Sequence, residues 1–393
     1  MSAIPAGYKQ TEVGVIPEDW EVKALNDLAD KIMVGIASAA THAYRDRGIV
    51  MFRNQNIKPG YLDDSDLLYI AEDYEVTFRN KRLKAGDLLT ARTGYPGTTS
   101  IVPSQYEGAQ SFTTLITRPR LGVIDPEYLC IFINSESGQA YFEQNQIGGG
   151  QKNVNAGSLK NLPVAFPPTD AEQQAIAEAL SDADALIESL EQLVAKKRHL
   201  KQGAMQELLT GKKRLPGFSG EWSVKTLGAL CRMKSGEAIT SESVDEYSEY
   251  PCFGGNGLRG FTKSFNHDGN FALVGRQGAL CGNVLVATGK FFASEHAVVV
   301  TPNRDTDVFW LARVLIRMNL NQYSESSAQP GLSVSKLLVL ECHTPPHAEQ
   351  AAIAAVLSDI DAEIAELETQ LAKTRALKQG MMHKLLTGEI RLL

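Results

Sequence analysis

Gly255-x-Gly257-x-x-Gly260 is the one nucleotide-like motif in this 393-residue sequence. Dinucleotide binding needs that pattern between a strand and the start of a helix, where backbone amides face the pyrophosphate. The next residues, Phe261-Thr262-Lys263-Ser264-Phe265-Asn266, read as turn and strand. A second pattern, Glu18-Asp19 with Glu21-x-Lys23, looks like a scrambled nuclease motif. Its acids are crowded, and only the Trp-x-Val-Lys part recurs, as Trp222-Ser223-Val224-Lys225, so a structural role at a domain start fits better. Gly289-Lys290 is followed by Phe291 rather than Ser or Thr, which excludes a P-loop. Neither Pro167-Pro168 nor Pro345-Pro346 lies in the Asn/Asp-Pro-Pro-Tyr/Phe setting of amino-methyltransferases. The histidines, His42, His199, His267, His296, His343, His347 and His383, show no metal-ligand spacing. Cys130, Cys231, Cys252, Cys281 and Cys342 form no C-x-x-C pair; they read as small buried residues in a reducing compartment. No catalytic or metal site is expected in this chain.

What the sequence does contain is a duplication. Residues 172–215 and 349–392 align without a gap at an offset of 177, with about 27 of 44 positions identical. A Pro-Pro pair precedes each copy. In the first copy Ile176, Leu180, Ala183, Ile187, Leu190 and Val194 step by four and three; in the second Ile353, Leu357, Ile360, Ile364, Leu367 and Leu371 do the same. This is a heptad seam. Carboxylates early, Lys and Arg late, and Thr210-Gly211 or Thr387-Gly388 at the end mark two long helices. Each has a narrow apolar stripe and finds its partner in the other copy. A whole domain separates them, so antiparallel pairing is predicted, in a rod of about 55 Å.

The segments before the helices also repeat, more weakly. Trp20-Glu21-Val22-Lys23-Ala24-Leu25 corresponds to Trp222-Ser223-Val224-Lys225-Thr226-Leu227. Gly86 to Gly94 resembles Gly269 to Gly278 with one inserted residue, which matches Arg92 with Arg276. Short apolar runs such as Thr113 to Ile116 and Ala297 to Val300 read as strands; Tyr128 to Ile133 and Trp310 to Ile316 read as helical. The predicted layout is a first α/β domain (1–170), a spacer helix (171–215), a second α/β domain (216–346) and a second spacer helix (347–393).

Hydrophobic residues at 43% and charged residues at 22% are an ordinary globular balance. No apolar run approaches the roughly 18 residues of a membrane span, and Met1 to Tyr8 lacks a signal-peptide pattern. A soluble, cytoplasmic protein with no membrane partner is expected. The net charge of −7 argues against binding DNA alone, since phosphates need a basic surface.

The ordered motifs nevertheless resemble the specificity subunits of type I restriction–modification systems over essentially the whole chain. The resemblance rests on the duplicated Ala-Glu-Gln, Ile-Ala, Leu-Ser-Asp, Leu-Lys-Gln-Gly and Leu-Leu-Thr-Gly, on Pro17-Glu18-Asp19-Trp20-Glu21-Val22, and on Cys252 to Gly257 leading to Val274-Gly275-Arg276-Gln277-Gly278. It implies two target recognition domains, each reading half of a split site in double-stranded DNA, with the helices as ruler and docking surface. It further implies two copies of a DNA adenine methyltransferase (modification) subunit carrying S-adenosylmethionine, and a restriction subunit using ATP with Mg. This chain would hold no cofactor, and its partners would supply many phosphate contacts, which makes the acidic charge tolerable.

A split target about one turn apart needs readers held roughly 34 Å from each other, which suits a stiff coil. Candidate DNA-binding residues in the first domain are Arg53, Asn54, Gln55, Asn56, Lys81, Arg82, Arg92, Thr93, Lys152, Asn153 and Asn155. In the second they are Asn256, Arg259, Lys263, Arg276, Gln277, Ser333, Ser335 and Lys336. Arg, Asn and Gln can contact base edges in bidentate fashion, while Lys suits phosphate. The alternative is a non-catalytic coiled-coil scaffold whose α/β domains bind protein or carbohydrate.

Overall fold

A computed structural model of the chain describes residues 4–38, 40–145, 153–278, 280–324 and 331–392. It comprises two compact units, Met1–Ser189 with Ala372–Leu393, and Leu190–Leu371. Each unit therefore holds one domain plus parts of both long helices.

In the first unit a four-stranded antiparallel sheet runs in the order Thr99–Ile101, Leu88–Thr90, Leu115–Pro119, Ala29–Val34. Beside it lies a smaller sheet in which Gln110–Ser111 pairs in parallel with Ile49–Phe52. The second unit repeats the plan. Val284–Ala293, His267–Gly275, Ala297–Pro302 and Cys231–Ser235 follow one another in the same order, and Tyr250–Gly254 pairs in parallel with the first of them. The predicted helices are present as Pro126–Asn134 and Val308–Arg317, capped by Asp125 and Asp307. Strand Leu115–Pro119 starts later than predicted, because Thr113 turns the chain in the left-handed region (φ 55°). The five cysteines are all buried thiols.

Two glycines allow close backbone approaches in the two units. A Cβ on Gly35 would stand 2.4 Å from the Ser111 carbonyl oxygen, and one on Gly236 2.1 Å from that of Ala293. Only a residue without a side chain permits that approach.

The long helices are Asp170–Leu208 and His347–Leu386. Within the second unit they pair antiparallel: Arg214 contacts Glu349, Lys201 contacts Asp361, and Lys197 contacts Glu363, so partners fall as numbers rise. Within the first unit Lys378 contacts Asp184, in the same sense. Leu190, Val194, Ile364 and Leu371 are buried along the seam, while Ile187, Ile360 and Leu367 are half-buried. The outer rungs do more than the heptad pattern predicts. Ile176 and Leu180 enter the core of the first domain with Leu25 and Leu28, and Ile353 and Leu357 enter that of the second with Leu227 and Trp310. Helix ends that abut a domain bury their stripe against it, since burying each Leu or Ile contributes about 1.5–3 kcal/mol.

The repeated Glu-Gln pair now has a physical account. Gln173 Oε1 accepts from the backbone N–H of Asp125 (2.7 Å), and Gln350 Oε1 from that of Asp307 (2.9 Å). Each amide also donates to the carbonyl of the first proline in its Pro-Pro pair, Pro167 or Pro345, at 3.0 Å. The preceding glutamates, Glu172 and Glu349, are 2% and 0% exposed and are gripped by Arg391 and Arg214. Asp19 also binds Arg391, which lowers the Asp19 pKa and gives that acid at the domain start a structural role.

Candidate nucleic-acid interface

In each unit three loops meet at one end of the main sheet. In the first they are residues 53–56 after strand Ile49–Phe52, residues 91–98 between strands Leu88–Thr90 and Thr99–Ile101, and residues 153–155 before the short helix Ala156–Lys160. Arg92 is where they join. Its N–H donates to Asn54 Oδ1 (2.7 Å), and its carbonyl accepts from Val154 N–H (3.0 Å). Asn54 Nδ2 in turn donates to Thr113 Oγ1 (3.2 Å). In the second unit Arg276 stands in the same place. Its N–H donates to the His296 carbonyl (2.9 Å) and its carbonyl accepts from Leu332 N–H (3.0 Å). Residues 254–257 take the position of 53–56, since Phe52 and Phe253 accept equivalent bonds from Phe112 and Ser294 N–H. Both arginine backbones are thus clamped from two sides, which pre-positions their side chains.

The structure sorts the candidates. Arg92 Nε and Asn153 Oδ1 are buried and have no hydrogen-bond partner among the described residues, so each retains capacity for a ligand. Thr93 lies beside Arg92 and is half-buried. Half-buried Arg53 and exposed Gln55 both donate to Asp66 Oδ2, at 2.8 and 3.0 Å. Lys81 donates to the Gly35 carbonyl (2.8 Å). Three residues are committed internally. Asn56 is 2% exposed and binds the backbone of Arg53, Asp63 and Asp66. Arg82 forms a two-point contact with the buried Glu75 at 2.7 and 2.6 Å, which holds that carboxyl below its usual range. Asn155 caps its helix through Ser158 N–H. Their roles are better read as supporting the loops than as reading bases. Lys152 lies outside the described residues.

In the second unit Asn256, Lys263 and Gln277 are exposed, and Arg259 donates to Ser241 Oγ (3.0 Å). Arg276 Nη1 donates to Ser235 Oγ (3.1 Å). Gln277 bridges to Gly331, just before Ser333 and Ser335, whose hydroxyls lie 2.8 Å apart; exposed Lys336 follows in the short helix Val334–Leu338. The Gly255-to-Gly260 motif is a hairpin turn, Tyr250–Gly254 pairing with Gly257–Thr262, and opens no helix.

Sequence reasoning missed several residues here. Tyr95, 82% exposed at the tip of the Arg92 turn, is one; its signal is an aromatic between two turn glycines, Gly94 and Gly97. Thr113, Ser235, Glu295 and His296 carry no local signal, since only the sheet brings them to the loops.

The family model of the type I restriction modification DNA specificity domain matches residues 17–196 and again 219–374. The chain is 48% identical over 141 residues to the EcoprrI type I restriction enzyme specificity subunit of Escherichia coli, spanning 35% of each chain. It is 26% identical to the putative MjaX type I restriction enzyme specificity subunit of Methanocaldococcus jannaschii, across 98% of this chain and 96% of that one. Its fold matches the crystal structure of a type I restriction–modification S subunit from M. genitalium with a TM-score of 0.65 at 18% identity, covering 93% and 96% of the two chains.

Proposed function

Since this chain belongs to the family of type I restriction–modification specificity subunits, whose work is DNA target recognition, we propose that it reads a split target, one unit per half-site. The observation that carries this reading is the repeated clamp on Arg92 and Arg276, each at the junction of three loops. An arginine held by its backbone and aimed from loops suits a guanine edge or a phosphate. Because the clamp recurs in both units, Arg92 and Arg276 serve shared DNA geometry, while the differing loop residues supply sequence preference.

The chain itself is proposed to be non-catalytic and cytoplasmic. Two copies of a DNA adenine methyltransferase subunit, carrying S-adenosylmethionine, would dock on the long helices, and a restriction subunit using ATP and Mg would join them. Exposed Leu193 and Leu200 support a docking surface in the second unit: they lie seven residues apart on the first long helix, off the buried seam. A cleft of about 430 Å³ beside Asn256 and Arg259 offers a concave face to a base edge. The scaffold alternative has no comparable support in the family match.

The test is co-expression with modification subunits and sequencing of the methylated DNA. A bipartite motif that depends on this chain is expected. Replacing residues 216–346 by those of a relative should change one half of the motif and leave the other intact; a change in both halves would refute the reading.

A further inference from the structure

The two units differ beside the clamped arginine. In the first, Asn54 fills the position beside Arg92 and ties Arg92 N–H to Thr113. In the second that position is Gly255, and the His296 carbonyl replaces the asparagine side chain as acceptor for Arg276 N–H. Beside that turn lies a cleft of about 430 Å³, lined by the glycine-rich turn, Arg259, Ser294, Glu295 and His296. Glu295 Oε2 and Ser294 Oγ are buried and have no hydrogen-bond partner among the described residues. The other carboxylate oxygen, Oε1, lies 3.2 Å from His296 Nε2.

A carboxylate next to DNA repels phosphate and accepts hydrogen bonds only. At a base edge, the groups that answer it are exocyclic amines: cytosine N4 or adenine N6 in the major groove. Guanine O6 and thymine O4 present lone pairs and are refused. A buried acceptor without a partner strengthens that discrimination, because a wrong base leaves it unsatisfied.

We propose that Glu295 is a specificity-determining residue of the second unit, accepting a hydrogen bond from a base amine seated in the Gly255 cleft. This rests on the reading of that unit as a DNA reader. The first unit has Asn54 where the second has Gly255, so the two half-sites are expected to differ there.

The experiment uses the full chain co-expressed with its modification subunits, and reads the methylated motif by sequencing. At least one base pair in the half-site assigned to residues 216–346 should depend on Glu295; a G·C pair there identifies the amine as cytosine N4, an A·T pair as adenine N6. In Glu295→Leu and Glu295→Ala, which remove the acceptor, methylation of the original motif is expected to fall about tenfold at that position alone, with other bases now accepted, the scale of one good base contact. Gly255→Asn keeps the carboxylate but presses its Cβ against the Gln277 and His296 carbonyl oxygens at 3.3 Å, next to Glu295; the same position is expected to lose its preference. An unchanged motif in the Glu295 variants overturns the proposal. So does a uniform loss across all sequences, which would make Glu295 a positioning residue only, and so does an unchanged motif in Gly255→Asn. If exchanging residues 216–346 alters a half-site while the Glu295 variants do not, only this inference fails. If the exchange itself changes nothing, the reading of the unit as a DNA reader fails.

Discussion

Arg214 lays its guanidinium along the carboxylate of Glu349, with Nε and Nη2 at 2.5 and 2.6 Å from the two oxygens, although 135 residues separate them. Trp222 Nε1 donates to the same carboxylate (3.1 Å), and its ring lies 5.5 Å from the guanidinium. In the other unit Arg391 grips Glu172 in the same way, and its guanidinium lies 5.9 Å from the Trp20 ring, without the indole bond to the carboxylate. Thus each helix start is locked by the residues just beyond the other helix's end. Arg214→Met alone leaves a buried carboxylate short of its charge partner and is expected to lower the unfolding temperature clearly. The double variant Arg214→Met with Glu349→Gln should lose less than the sum of the single variants, as a thermal double-mutant cycle would show.

Leucines on the helices fall into two classes. Leu180→Ala and Leu357→Ala empty positions inside the domain cores and should each cost about 2–5 kcal/mol in denaturant unfolding. Leu193→Ala, on the exposed stripe, should change stability by less than about 0.5 kcal/mol. Leu193→Glu is expected to weaken capture of the modification subunits while leaving the fold intact.

Close packing makes Gly35→Ala and Gly236→Ala informative. Each added methyl meets a backbone oxygen that cannot swing away, and each substitution should cost about 1–3 kcal/mol. Activity on one half-site should suffer before the other, as methylated motifs would reveal.

Acid sensitivity should reside partly in Glu75. The Arg82 guanidinium, then Gln110, hold its carboxyl below the usual 4.5. A carboxyl with a lowered folded-state pKa contributes stability fully above its unfolded pKa, and that contribution disappears as pH falls through the folded value. Stability measured from pH 6 to pH 2 should therefore fall less steeply in Glu75→Gln than in the parent chain, although Glu75→Gln starts lower at pH 6.

Spacing is testable through the seam. Seven residues added after Leu190 and seven after Leu371 restore the heptad in both helices and add about 10 Å of helix. That is about three base pairs. The motif should keep both half-sites and gain a longer spacer; altered base identities with an unchanged spacer would show that the helices do not measure distance.

Much of this protein is legible along the chain. The duplication, both long helices, their seam and the matching of Arg92 with Arg276 are periodic or repeated signals, visible because residues of one kind recur at fixed spacing. The repeated Glu-Gln and Thr-Gly pairs are visible too, though not their reason, which is a contact to a helix cap or to an arginine far away. Tertiary structure alone decided which polar residues are spent inside the fold. Asn56, Arg82 and Asn155 look as available as Arg92 or Gln277 in sequence, yet Asn56 and Arg82 find partners in Asp63, Asp66 and Glu75, and Asn155 caps a helix. It also decided that Ile176, Leu180, Ile353 and Leu357 face domain cores, and that Glu295 and Gly255 line one cleft. A heptad states that a stripe is apolar; what covers the stripe, and which donor meets which acceptor, depends on segments brought together from distant parts of the chain.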